Sequence, residues 1–155
     1  MHAAVRCAQG GFSGDIWGVN PRRSTLGDFP CFRSVGDLPA PPDAVFLAVP
    51  SATAVDVVAQ LAALGAGGVV CYTAGFRELG GAGAELEKVL AKVAGDLALV
   101  GPNVFGLLNY VSGAHLWPYA HGGKRVERGV ALVSQSGMFS GYVTTNQRSV
   151  AFSYV

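Results

Sequence analysis

The sequence is poor in charge. Only 14% of its 155 residues are Asp, Glu, Lys or Arg, and the formal net charge is +1. Its eleven Lys and Arg are spread along the chain, so no basic face for nucleic acid is expected. No apolar run reaches the ~18–20 residues that cross a bilayer, and no membrane partner is expected. Met1–Gly10 lacks a basic region followed by an apolar stretch, so no secretory signal is read and the location expected is cytoplasmic. Cysteine is scarce: Cys7, Cys31 and Cys71 are odd in number, widely spaced and form no C-x-x-C pair. Reduced thiols are the plain reading, and no metal site is expected. The common nucleotide and hydrolase signatures fail as well. A P-loop fails because Gly123-Lys124 is followed by Arg125 and position 118 is Pro. Gly65-Ala66-Gly67 precedes an apolar run and has Val70 where a dinucleotide fingerprint needs its third Gly. Ser136 lacks both flanking glycines of a nucleophile elbow.

What is present is apolar. Half of the residues are hydrophobic, enough for a substantial core, and 22 are glycine. Glycine in that amount suits close strand-to-helix packing, although codon bias would leave the same trace. Ala44–Val49, Gly68–Thr73 and Leu97–Val100 are short continuous apolar runs that read as strands buried on both faces of a parallel sheet. Asp15–Asn20 reads as another strand, stopped at Pro21. Between them, Thr53 to Leu64 reads as a helix with Thr53-x-x-Asp56 at capping-box spacing and Gly65 as its C-cap. Ala84 to Val93 places Leu86, Val89, Leu90 and Val93 on one face and Glu85, Glu87, Lys88 and Lys92 on the other, an amphipathic helix. This alternation predicts an α/β fold with a Rossmann-like parallel sheet.

Two readings concern the ends. Met1–Ala8 reads as helix, so a preceding strand is expected to be missing. Gly129–Val133, Ser136–Gln147 and Ser149–Val155 read as strand, helix and strand of a second unit that has barely begun. The expected division is residues 1–122 and 123–155, with a linker around Tyr119–Arg128. An uncovered apolar edge at Ser149–Val155 would favour a homo-oligomer or a partner chain.

Three loops follow the carboxyl ends of the expected strands: Val49-Pro50-Ser51, Thr73-Ala74-Gly75-Phe76 and Gly101-Pro102-Asn103. Ligands of open α/β sheets bind at that edge. Ser134-Gln135-Ser136-Gly137 stands between a strand and a helix start, where backbone N–H groups and the helix dipole suit an anion. An ordinary Ser N-cap with a Gly in the turn leaves the same tetrapeptide.

Six segments occur together in order: VNP (19–21), DLP (37–39), AVP (48–50), AGFRELG (74–80), GPN-x-x-G (101–106) and VSQSG (133–137). In this order and spacing the chain resembles the ADP-forming (NDP-forming) acyl-CoA synthetases, relatives of the succinyl-CoA synthetase alpha subunit. The resemblance runs from about Gly10 to Val155. It implies a Rossmann-like CoA-binding domain, lacking its first strand here, and the start of a flavodoxin-like domain. It implies a ligase that interconverts acyl-CoA, ADP and phosphate with acid, CoA and ATP through a phosphohistidine expected beyond Val155. Coenzyme A is then the cofactor of this segment. ADP, ATP and Mg would belong to the parent enzyme and its ATP-grasp domain or subunit.

Carried over residue by residue, Asn20, Pro21, Arg22, Val49, Pro50 and Ser51 would line the CoA nucleotide. Ala74, Gly75, Phe76 and Glu78 would lie along the crevice, and Asn103 would approach the acyl end. Ser134, Gln135, Ser136 and Gly137 would receive the phosphate of the phosphohistidine. Arg22 and Arg23 either pair with CoA phosphates or belong to a solvated turn. Val104 stands where the family pattern has a cysteine, which alters the expected acyl site. His115 and His121 fall outside the family's site and read as structural or surface residues. The resemblance provides no catalytic residue in this segment, so the isolated chain is not expected to turn over. The alternative reading is a CoA-sensing, non-catalytic module of a protein acetyltransferase.

Overall fold

A computed structural model describes residues 2–146 and 150–155. The chain divides into two compact units, residues 17–106 and residues 1–16 with 107–155.

In the unit 17–106, three parallel strands form one sheet in the order β4 (Val45–Leu47), β5 (Gly68–Cys71), β6 (Ala98–Val100). Val45 faces Val69 and Phe46 faces Val70 across the first pair, and Val69 faces Leu99 across the second. β5 is central, and its Val69, Val70 and Cys71 are buried, as an unalternating apolar run requires. The connections are α2 (Ser51–Leu64) and α3 (Gly81–Ala94). Val58 and Leu61 of α2 and Leu90 of α3 meet Leu47, Val69 and Cys71 in one aliphatic cluster. The fold is therefore α/β with a parallel, Rossmann-like sheet.

Ahead of this sheet lies a second one, order β1-β3-β2. β1 (Gly18–Val19) pairs parallel with β3 (Phe29–Phe32), and β3 pairs antiparallel with β2 (Thr25–Leu26). The β2–β3 hairpin turns at Gly27, whose φ of 68° favours glycine.

The expected capping box of α2 does not form. The helix begins at Ser51, its N-cap is Pro50, and no side chain caps it. Thr53 and Asp56 lie inside the first turns, because the sharp exit from β4 at Pro50 sets the start. Gly65 ends the helix in the left-handed region at φ 82°, as its position in the sequence predicts.

The other unit joins α1 (His2–Gln9) to the chain after Gly106. β7 (Leu107–Leu108) pairs antiparallel with β8 (His115–Leu116), and β9 (Val130–Ala131) pairs parallel with β10 (Phe152–Tyr154), with α4 (Gly137–Thr145) between them. Its interior is built on rings. The His115 ring lies 5.2 Å from Tyr110 and 4.6 Å from His121, and Tyr110, His115 and Trp117 are all buried. Burial pushes the Tyr110 hydroxyl up to about 12. Cys7 ties α1 to β8: its Sγ donates to the His115 carbonyl at 3.2 Å and accepts from the His115 N–H at 3.1 Å.

The uncovered edge expected at Ser149–Val155 is absent among the described residues; Gln147 and Ser149 lie outside them. β10 is paired on one side with β9. On the other, the Val155 N–H donates to the Leu108 carbonyl, the Leu108 N–H donates back to Val155, and the Tyr110 N–H donates to Ser153. Both edges of β10 are filled by its own chain, which removes the strand-edge argument for an oligomer.

Candidate functional site

The three loops after β4, β5 and β6 meet in one open crevice of about 440 Å³. Ala48, Val49 and Pro50 come from the first loop, Tyr72, Thr73 and Ala74 from the second, and Asn103, Val104 and Phe105 from the third. Thr73 laces them together. Its hydroxyl donates to the Val49 carbonyl at 2.7 Å, and its own carbonyl accepts the Asn103 N–H at 3.0 Å. Asn103 adopts φ 57°, a left-handed conformation that asparagine tolerates better than most residues. Gly101 precedes it at φ 103°, and a Cβ there would stand 2.6 Å from the Cys71 carbonyl oxygen, so the third loop passes close against β5.

Glycine shapes the rim in a second place. A Cβ on Gly75 would meet the Ser51 hydroxyl at 2.9 Å, which leaves the start of α2 and the second loop in close approach. The Gly75 N–H donates to the Glu78 carboxylate. That bond holds the Glu78 carboxyl below its ordinary range, so it is ionised at neutral pH.

Of the residues singled out in the sequence, Val49, Pro50, Ala74 and Asn103 line the crevice; Ser51 and Gly75 adjoin each other. Phe76 is fully buried in the aliphatic core of its unit and does not line the crevice. Asn20, Pro21 and Arg22 follow β1 and are not among the lining residues. The Asn20 side chain accepts the Arg22 N–H at 3.0 Å, an Asx turn that fixes the loop locally. Val104, expected to alter the acyl site, lines the crevice, and so do Tyr72 and Phe105, which the sequence did not single out. Their signal was position alone, since each lies within a few residues of a strand's carboxyl end.

Ser134 to Ser136 are exposed in the other unit. Ser136 is the N-cap of α4, its hydroxyl accepting the Phe139 N–H at 3.2 Å, and the Ser134 hydroxyl accepts the Ser136 N–H at 3.1 Å. The tetrapeptide therefore forms an ordinary cap, and the N–H groups of Ser136 and Phe139 are already engaged.

The crevice carries no charged lining side chain. It offers apolar walls, a phenol, a hydroxyl, an amide and backbone edges, which suits an extended, partly apolar ligand in a cleft of ordinary ligand size. Coenzyme A passes this test for its pantetheine and adenine parts. Its phosphates would need charges from outside the lining.

Comparison with known proteins gives a consistent result. The family model described as "CoA binding domain" matches residues 2–109. A trans-feruloyl-CoA synthase from an unknown prokaryotic organism is 37% identical over 139 residues, covering 86% of this chain and 20% of the relative. An acetate–CoA ligase [ADP-forming] II from Archaeoglobus fulgidus is 32% identical over 157 residues, covering 95% and 23%. The solved apo form of a dinucleotide forming acetyl-coenzyme A synthetase 1 from Ca. Korarchaeum cryptofilum superposes with a TM-score of 0.83 at 28% identity, over 98% of this chain and 33% of that one. The chain thus spans only about a fifth of the length of these curated relatives.

Proposed function

The chain belongs to the CoA-binding domain family, and from that premise we propose that it is the CoA-binding segment of an ADP-forming acyl-CoA synthetase. The observation that carries the proposal is the crevice at the carboxyl ends of β4, β5 and β6, laced by Thr73, in a chain whose relatives are CoA ligases. In this reading Val49, Pro50, Ala74 and Asn103 contact the cofactor through walls and backbone, with Ser51, Gly75 and Glu78 shaping the rim. Asn20 to Arg22 contribute to the nucleotide end, where Arg22 offers the charge the crevice lacks. The residues after about 122 begin a second, flavodoxin-like domain, and Ser134 to Gly137 serve its phosphate end, where a bound phosphate would replace the two cap bonds at Ser136 and Phe139.

Bound CoA would supply the thiol that takes the acyl group. The parent reaction is acyl-CoA plus ADP plus phosphate giving acid plus CoA plus ATP, with a phosphorylated histidine carrying the phosphoryl group between sites and Mg accompanying the nucleotide. This segment's part is to bind and orient the thiol cofactor. It has no assigned acid, base or nucleophile in that scheme.

Calorimetric titration of the chain with CoA, with NADH as the control, tests the reading. Saturable CoA binding without NADH binding is expected, and Ala74→Trp, which fills the exposed wall of the crevice, weakens it at least tenfold. NADH binding without CoA would overturn the proposal, as would CoA affinity undiminished in Ala74→Trp.

A further inference from the structure

The unit formed by α1 and the chain after Gly106 holds a second pocket, of about 370 Å³, with a different chemistry. Arg6, Lys124 and Arg125 line it beside His115 and His121, and no carboxylate does. Among the described residues, neither ion pair in the structure involves these three cations. In a chain whose formal net charge is +1, this is a local excess of positive charge. Like charges gathered this way repel unless an anion accompanies them.

The two guanidinium groups are held by neutral acceptors. Arg125 donates from Nη1 to the Gly11 carbonyl at 3.2 Å and from Nη2 to the Val111 carbonyl at 3.1 Å. Arg6 donates from Nη1 to the Gln9 side-chain oxygen at 2.8 Å. Each group is thus fixed in place while its charge stays uncompensated, which is preorganisation for an anionic ligand. The histidines contribute no charge at neutral pH. Burial lowers both, His115 to about 4, and the Arg6 charge lowers His121 further.

Two polar atoms are left over. Among the described residues, Arg6 Nε and His115 Nδ1 are buried without a hydrogen-bond partner. A buried guanidinium N–H without an acceptor is costly, so Arg6 is under-satisfied within the protein, and the cations that line the open pocket suit a ligand bearing acceptor oxygens. A tetrahedral oxyanion meets this demand: it brings two negative charges and several oxygens to two fixed guanidinium groups, through the N–H groups that their neutral acceptors leave over, and to the exposed Lys124 ammonium.

We propose that the pocket bounded by Arg6, His121, Lys124 and Arg125 is a binding site for a phosphate-class oxyanion, either the free ion or the phosphoryl group of a larger molecule. It belongs to the unit that does not contain the crevice, and it does not depend on the CoA assignment. The test is an NMR titration of the isotope-labelled 155-residue chain with inorganic phosphate at constant ionic strength, with sodium chloride as the control. Saturable shifts of the Gly11, Gly123 and Lys124 amides with phosphate, and none with chloride, are expected. Arg6→Gln and Lys124→Ala should each weaken binding about tenfold, the loss of one charge-assisted contact. Lys124 is exposed, so its variant keeps the fold if Arg6→Gln does not. Adenosine 3′,5′-bisphosphate moving the same amides at lower concentration would identify a nucleotide phosphoryl group as the source, and phosphate binding at least as tightly would identify the free ion. Shifts confined to Ala74 and Asn103, shifts undiminished in Lys124→Ala, or no saturable shift at all would overturn the site.

Discussion

The two units of the chain are stabilised by different means. In the unit 17–106 the core is aliphatic: Leu47, Val58, Leu61, Val69 and Leu90 pack in one cluster, two helices against a parallel sheet. In the other, two buried leucines, Leu108 and Leu116, are joined by buried rings and small polar groups, with Tyr110, His115 and Trp117 beside Ser140, Thr144 and Ser153. That unit also leaves large apolar side chains outside: Val133 is 97% exposed, Met138 82% and Tyr142 64%. The first unit depends on the amount of apolar surface it hides. The second depends on particular ring contacts and hydrogen bonds between segments distant in sequence, and it is correspondingly more sensitive to protonation.

That contrast can be broken most forcefully in the aliphatic core. Leu90→Ala removes a fully buried side chain that α2 and the sheet surround, and a loss of about 2–5 kcal/mol is expected in urea denaturation. A loss below 1 kcal/mol would mean that the cluster does not carry the unit.

The next effect, up to about 3 kcal/mol, belongs to the ring-built unit. His115 titrates near 4 when folded, below its ordinary 6.5, because burial and then His121 disfavour its charge. The folded state therefore prefers the neutral ring. The corresponding stability is fully present above about pH 6.5 and is lost as pH falls toward 4. His121 acts in the same direction. Denaturation midpoints between pH 7.5 and pH 4.5 should fall more steeply in the natural chain than in His115→Phe, and parallel slopes would rule out this source of sensitivity.

A smaller change sharpens the comparison at the crevice. Thr73→Val keeps the shape but leaves the Val49 carbonyl without its donor, at a cost of about 1–2 kcal/mol. CoA affinity should fall with it, because the loops are no longer laced; unchanged affinity would show that the floor is set by other contacts. The smallest effect is expected on the outside of the second unit. Met138→Gln should alter stability by less than about 0.5 kcal/mol, since the side chain is already in solvent.

Much of the first unit was legible because its elements are local. The runs at 44–49, 68–73 and 97–100 and the amphipathic face of Leu86, Val89, Leu90 and Val93 carry their own period, and each became the expected strand or helix within a few residues. β2 and β3 were not legible. Phe29–Phe32 contains Pro30, which argues against a strand, and only its pairing with Thr25–Leu26 and with Gly18–Val19 makes it one. The crevice loops were readable from their places after strands. Phe76, in contrast, shares the second loop with Ala74 and Gly75 yet turns into the core, a choice made by tertiary packing. The cationic pocket was invisible for a related reason: Arg6 and Lys124 are far apart in sequence, and nothing local marks them as neighbours.

The bond between Cys7 and the His115 backbone spans 108 positions, and this has a consequence during synthesis. α1 leaves the ribosome before its partner strand β8, which is made only after the whole unit 17–106. At ordinary elongation rates that interval is roughly 5–20 s. An eight-residue helix is marginal by itself, so for that time α1 waits without the strand that holds it, and the Cys7 thiol without its backbone partner. The middle of the chain meanwhile acquires all the strands and helices of its own core. A segment made before the aliphatic core is thus completed only after it.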